Sequence, residues 1–352
     1  MRSHAMMRSH ALLLIIAAAA ALTPLPPGIN AYEVAAGTRN RPAEALAPVA
    51  LRAIAAAREA NVKLGEIEFP ALLGEKTAFD DVDNVQICAV MNWHRNAIEQ
   101  ASRRWRGGRR DESARTRRKT LTSTQVQILN WNRDWCMASM QPLAGELDGE
   151  LWLAFPDRKE LELAREEWPG ASYAKATLTT LEDAAEVLSG SSDQAWGAAF
   201  ARAAEGLLGT SNLGAKPETT TAPAPQVVVA VQPGDGGPLE DWLNLERCQP
   251  SDGLLVSVNG AFDKLRGGFY PRPLFPKLAE CVDRFVVDAE ALVVLKNVAD
   301  KGRAGWLFRV YPEPWQLFAQ GKEASLLLET YAGRPSYNDC VATLLKAGPV
   351  VA

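Results

Sequence analysis

Residues 226–237 read QVVVAVQPGDGG. Val227 to Val231 form an apolar run with no polar alternation, so a strand built from it must be buried on both faces, as in a parallel sheet covered by helices. Pro233 ends the run, Gly234-Asp235-Gly236-Gly237 turns the chain, and Pro238-Leu239-Glu240-Asp241 opens a helix. The same order recurs along the chain. Residues 62–69 stop at Pro70, Leu151 to Phe155 stop at Pro156-Asp157, and Leu254 to Val258 stop at Asn259-Gly260. Runs of this kind separated by helical stretches predict an α/β fold, a mainly parallel Rossmann-like sheet with flanking helices.

The helices carry their own start signals. Asp157 with Glu160 three residues on reads as an N-cap, and Leu161, Ala164 and Trp168 then share a face. Thr180 with Asp183 opens a second helix bearing Leu181, Ala184 and Leu188; Trp196, Phe200, Ala203 and Leu207 mark a third, which Gly209 ends. Residues 209–225, rich in Thr, Pro and Ala, read as a linker-like loop. The texture changes after residue 284. Phe285 to Val298 and Trp306 to Phe318 predict an antiparallel hairpin extending the sheet at its C-terminal side, with Leu326 to Tyr331 as a further strand. Ser336 with Asp339 caps a closing helix through Leu345.

The N-terminus reads as an address. Met1 to His10 hold Arg2, Arg8 and two histidines with no acid; Ala11 to Leu22 are apolar; Thr23-Pro24 and Pro26-Pro27-Gly28 break the run. Residues 1–31 therefore read as a secretory-type signal peptide, the apolar part being shorter than the roughly 20 residues a spanning helix needs. Tyr32 to Arg58 are Arg-rich and acid-poor (Arg39, Arg41, Arg52, Arg58), which points to a two-part address for a plastid bounded by extra membranes, with residues 32–42 as the candidate transit segment and the secretory pathway as the alternative destination. Residues 43–60 also fit a first helix, with Leu46, Val49, Ile54 and Ala57 at helical spacing, so the sequence leaves the cut open. Residues 43–348 read as a single α/β domain with no further segment apolar enough to span a bilayer.

Charge and cysteines narrow the class. The chain carries a net −4, and −6 once Arg2 and Arg8 leave with the signal, which argues against nucleic-acid binding. Cys88, Cys136, Cys248, Cys281 and Cys340 are odd in number and without C-x-x-C spacing, the usage of buried thiols in a reducing compartment rather than of a disulfide framework or zinc site. One local exception to the acidic balance is residues 103–119, nine basic groups against Asp111 and Glu112. This insertion, with Arg103, Arg104, Arg109 and Arg110 as its candidates for an anionic partner, otherwise reads as a solvated charged loop.

No Walker loop, H-E-x-x-H, G-x-S-x-G or dinucleotide fingerprint is present, and beyond His4 and His10 the only histidine is His94, which reads as a surface or satisfied group. If the apolar runs lie parallel, Glu68, Asp157, Gly234, Asp235, Gly236 and Asn259 all emerge at the carboxyl ends, where open α/β sheets hold ligands. A glycine-rich turn opening a helix could offer N–H groups to a phosphate, although acids at the same mouth repel one unless a metal or an arginine intervenes. Each of these residues also has a plain structural use, as a cap or a turn. Arg309, between apolar neighbours, must find a carboxylate or an anionic ligand if its strand turns it inward.

Residues 307–316, LFRVYPEPWQ, together with Arg334-Pro335-Ser336, resemble the C-terminal signature of an uncharacterised domain family of cyanobacteria and plastids. Matches at Glu66-Ile67-Glu68-Phe69-Pro70, Ala154-Phe155-Pro156-Asp157, Ala230-Val231-Gln232-Pro233 and Val258-Asn259 extend the likeness over roughly residues 43–345. Residues 103–119 and 210–225 look like insertions, and Val258-Asn259-Gly260 stands where a longer Asn-Pro turn is expected. Members include a photosystem II assembly factor of the low-PSII-accumulation type and the part following the kinase of a chloroplast adenylate kinase. The resemblance implies a place and a context, not a chemistry: a plastid accessory protein that binds thylakoid membrane-protein complexes during assembly, with no cofactor identified. The alternative expectation is an enzyme or sensor that takes a nucleotide or other phosphorylated small molecule at the carboxyl-end rim.

Overall fold

The computed structural model describes residues 22–25, 41–70, 130–168, 175–189, 224–234, 240–321 and 325–347. In chain order the elements are α1 (Arg41–Glu59), β1 (Leu64–Glu68), α2 (described over 130–139), α3 (Gln141–Leu147), β2 (Leu151–Phe155), α4 (Arg158–Glu167), β3 (Ala176–Thr180), α5 (Leu181–Leu188) and β4 (Val227–Val231). Beyond β4 come α6 (Glu240–Arg247), β5 (Leu254–Val258), α7 (Phe262–Arg266), α8 (Pro276–Arg284), β6 (Glu290–Asp300), β7 (Arg303–Val310), β8 (Trp315–Gln320), β9 (Ser325–Tyr331) and α9 (Tyr337–Lys346).

The nine strands among the described residues form one sheet in the order β3-β2-β4-β5-β1-β6-β7-β8-β9. The first six run parallel and β6 to β9 form an antiparallel meander, so the sheet is mixed, with a parallel core and an antiparallel C-terminal extension. β2, β4 and β5 are buried at every position, as their unbroken apolar runs require. Alternation along them feeds two cores. Val227, Val229 and Val231 face α1 to α4 with Leu46, Ile54 and Met137, while Val228 and Ala230 face α5 to α8 with Trp242 and Leu245. A third cluster packs α9, through Cys340 and Leu344, onto Ala291, Leu307 and Leu317 of the meander.

Three elements depart from expectation. β3, sequence ATLTT, is a strand although only two of its residues are apolar; it is the outer edge, paired to β2 alone, and its β-branched threonines suit a pleated strand, Thr179 and Thr180 being buried there. β6 begins at Glu290 rather than Phe285, because α8 and a 3-10 turn at Val286–Asp288 take the preceding residues. Residues 306–318 are two strands, not one, because Pro312 and Pro314 bring no N–H to a ladder and the chain reverses between them.

The capping expectations are met: Asp157 accepts from Glu160 N–H, Thr180 from Asp183 N–H, and Ser336 with Asp339 forms a reciprocal capping box on α9. Cys136, Cys248, Cys281 and Cys340 are free and buried. Among the described residues no helix is long and apolar enough to cross a membrane. The expected third helix over Trp196 to Leu207, the loop 209–225, Cys88, His94 and most of the N-terminal address lie outside the described residues.

Candidate functional site

The carboxyl ends of the parallel strands carry Glu68, Asp157, Gly234 and Asn259 on one rim, in three separate groups. The first is a chain of amides. β5 ends in Asn259, held at φ +51 with its N–H on the Ile67 carbonyl at 2.8 Å, and β4 ends in Gln232, held at φ +46 with its N–H on Val258 O at 2.8 Å. Asn259 Oδ1 accepts from Phe69 N–H (2.9 Å), Asn259 Nδ2 donates to Asn132 Oδ1 (2.7 Å), and Asn132 Nδ2 donates to Gln232 Oε1 (2.5 Å). All three amide residues are buried. Asn259 thus stitches β1, β5 and α2 together, and the polar tips it might have offered a ligand are engaged with protein groups.

The second group is ionic and lies on the opposite face. Strand alternation puts Glu66 and Glu68 on the side of Leu64, facing α7 and the middle of β6. Glu66, 2 % exposed, receives Arg266 Nη1 at 2.7 Å and Arg334 Nη1 at 2.9 Å. Arg334 also reaches Asp263 at 2.6 Å, Lys296 contacts Asp263, and Lys296 Nζ stands 3.0 Å from Glu68 Oε2, within ion-pair range but off a hydrogen-bonding direction. Burial would raise the Glu66 carboxyl, yet its contact with Glu68 and the charges of Arg334, Arg266 and Lys296 hold it well below the usual carboxylate range. Glu68 goes the other way. Burial above all, against the opposing charge of Lys296 and helped by the charge and hydrogen bond of Glu66 and the charge of Asp263, pushes it up to about 8.

The third group lies where β2 and β4 adjoin. Their outgoing loops diverge, β2 leading to α4 on one face and β4 toward α6 on the other, which is the switch-point arrangement of ligand crevices in open α/β sheets. Asp157 and Gly234 both belong here, but the most buried polar group is Asp241 of α6, 5 % exposed, with Oδ2 lacking a hydrogen-bond partner among the described residues. Burial above all, then the charges of Asp157, Glu240 and Glu182 against one bond from the Gly234 N–H, raises Asp241 to about 6. Gly234 has φ +73, and a Cβ there would run into the Trp242 indole, which donates to Gly260 O at 2.9 Å. Only glycine serves at this turn. Asp235 and Gly236 lie outside the described residues, as do Arg103, Arg104, Arg109 and Arg110.

Arg309 stands apart from the rim and has found its carboxylate. Nη1 lies 2.6 Å from Glu290, Nε donates to Glu313 O at 3.2 Å, and the guanidinium sits 5.3 Å over the Trp315 ring. Arg334 lies 5.0 Å over the same indole, so Trp315 carries a cation at each of two contacts. Beside Arg334, an open groove of about 570 Å³ runs between β9 and α9, lined by Glu329, Tyr331, Thr343 and Lys346 among others. Among the described residues no group of histidines, cysteines and acids has the arrangement of a metal site.

Sequence reasoning missed Glu66, Lys296, Asp263 and Asp241 as site residues. Lone charges inside the apolar runs of β1 and β6 were the available signal, since a buried charge must be paired; the partners, up to 268 residues apart, were not. No match to the chain is found among the curated proteins or among the solved structures. The sequence does match, over residues 43–342, the family described as Domain of unknown function (DUF1995), and the chain belongs to that family.

Proposed function

We propose that the protein is a plastid accessory factor that acts by binding, serving the assembly of thylakoid membrane-protein complexes. The supporting observation is the way the rim spends its polar groups: the amide chain from Phe69 through Asn259 and Asn132 to Gln232, and the pairing of Glu66 with two arginines, turn the usual ligand edge into a rigid frame. The leader-like N-terminus and the likeness of LFRVYPEPWQ to the signature of a family that includes a photosystem II assembly factor support this compartment and context. The experiment is a pull-down from solubilised thylakoids with the tagged chain, after its location has been fixed by microscopy. Recovery of photosystem subunits is expected; an extraplastidic location with no membrane complex recovered overturns the reading.

A second reading is favoured by Asp241, whose Oδ2 has no hydrogen-bond partner among the described residues and at the β2/β4 crevice calls for a donor or a cation. It makes the protein an enzyme or sensor of a nucleotide or other phosphorylated small molecule, one that brings its own divalent cation because Asp157, Glu182 and Glu240 crowd the crevice. Thermal-shift titration separates the two readings, since a ligand at a hundred times its Kd adds about 2.7 kcal/mol of stability. A shift with Mg-nucleotide that Asp241→Asn abolishes favours the second; no shift with any phosphorylated compound favours the first.

A further inference from the structure

Residues 22–25 lie within the stretch whose composition reads as a leader, yet they are packed on the domain. Thr23 N–H donates to Glu313 Oε2 and Thr23 Oγ1 to Glu313 Oε1, both at 2.6 Å, so one carboxylate is engaged at two points. Gln316 Nε2 donates to the Thr23 carbonyl at 3.4 Å, and Leu25 packs against the core cluster beneath α1 to α4. The receiving turn is firmly built. Glu313 N–H closes on Val310 O at 2.7 Å, and Arg309, anchored on Glu290 and stacked on Trp315, holds the Glu313 carbonyl. LFRVYPEPWQ, the most distinctive segment of the chain, therefore forms a seat for four residues nearly three hundred positions away.

We propose that Leu22 to Leu25 are retained on the mature protein as a docked N-terminal strap, the leader being cut at the Ala21–Leu22 bond just ahead of it. The proposal rests on the leader reading of the N-terminus but ends that leader at residue 21 instead of 31, and it takes residues 32–42 as retained chain rather than as a transit segment removed by a second cut. Ala19 and Ala21 supply the small side chains that a leader peptidase requires before its cut. The cut is a hydrolysis: water gives its hydroxyl to the Ala21 carbonyl carbon, and its proton goes to the departing Leu22 nitrogen, which protonates further to an ammonium. That charge forms one residue from Thr23. Among the described residues Glu313 has no cationic partner, since the Arg309 guanidinium pairs with Glu290, so the new ammonium supplies the charge the seat lacks. A cut at residue 31 instead discards the strap and uncovers Glu313, Gln316 and the core beside Leu25.

Mass spectrometry of the N-terminal peptide of the protein isolated from its own cells tests this. A start at Leu22 is expected. A start at residue 32 or later overturns the strap while leaving the leader reading intact, and an intact Met1 sinks both. Glu313→Ala, made in the same cells, frees the strap, and ends trimmed past Leu25 are expected from exopeptidases. Thr23→Val, which alters the strap and not its seat, should give the same ragged ends. A clean start at Leu22 in both variants overturns the docking contact as the reason for retention.

Discussion

Glu66 and Glu68 sit two residues apart on β1, point to the same face and titrate in opposite directions. Glu66, with two arginines on it, is held ionised; its stabilising contribution is present above the ordinary value of 4.5 and is lost only as pH falls toward its depressed folded value. Neutralising it leaves Arg266 and Arg334 facing a half-buried site without their anion. Glu66→Gln is expected to lower the unfolding free energy by about 3–5 kcal/mol, read from urea denaturation near neutral pH. Glu68 has a folded value of about 8 against an ordinary 4.5, so the native state binds the extra proton across that interval and loses stability as pH rises through it. Glu68→Gln keeps the neutral form and should flatten the slope, leaving the variant more stable than the parent at about pH 9 and close to it at about pH 5. An unchanged slope would show that Lys296 keeps Glu68 ionised throughout. Neither direction was legible in GEIEF, where the two carboxyls differ only in their distance from arginines at 266 and 334.

At the scale of elements, local chemistry was readable wherever a single residue satisfies its own turn. Asp157, Thr180 and Ser336 cap the helices they precede, because a cap and its N–H partner lie within three residues of each other. Ser336→Ala should therefore cost about 1 kcal/mol, seen as a lower Tm together with faster amide exchange in the first turn of α9. What the sequence withheld was decided by neighbours. β3 is a strand because β2 offers it an edge, and β7 and β8 part where two prolines withhold N–H groups from the ladder. Gly305 is another such case. It reads as an ordinary small residue in β7, but a Cβ there meets the Phe318 carbonyl of β8 and the Leu344 side chain of α9. Gly305→Ala is expected to destabilise by about 1–3 kcal/mol, measured by thermal unfolding, because backbone on one side cannot give way.

Across the whole molecule the two faces of the sheet are built differently. The α1 to α4 face is one continuous apolar cluster that runs from Leu178 of β3 to Phe318 of β8, whereas the other face is divided between the α5 to α8 cluster and the α9 cluster. Between those two lie Glu66, Glu68, Asp263, Lys296, Arg266 and Arg334, so on that face the parallel half meets the antiparallel half through charge rather than through oil. The parallel half was legible because its strands are buried on both sides and say so in unbroken valines and leucines. The seam was not, because each of its ionisable groups looks solvent-bound until the fold brings six of them together. Arg334 is the only member from beyond β9, joining the loop before α9 to both Glu66 and Asp263. Removing it should loosen the extension before the core. In Arg334→Ala, amides of β9 and α9 are expected to exchange faster by an order of magnitude or more in native-state hydrogen exchange, with those of β4 and β5 still exchanging at the global limit. Equal acceleration in β4 and β5 would mean that the apolar face alone makes the sheet one cooperative unit and that the seam joins nothing the core has not already joined.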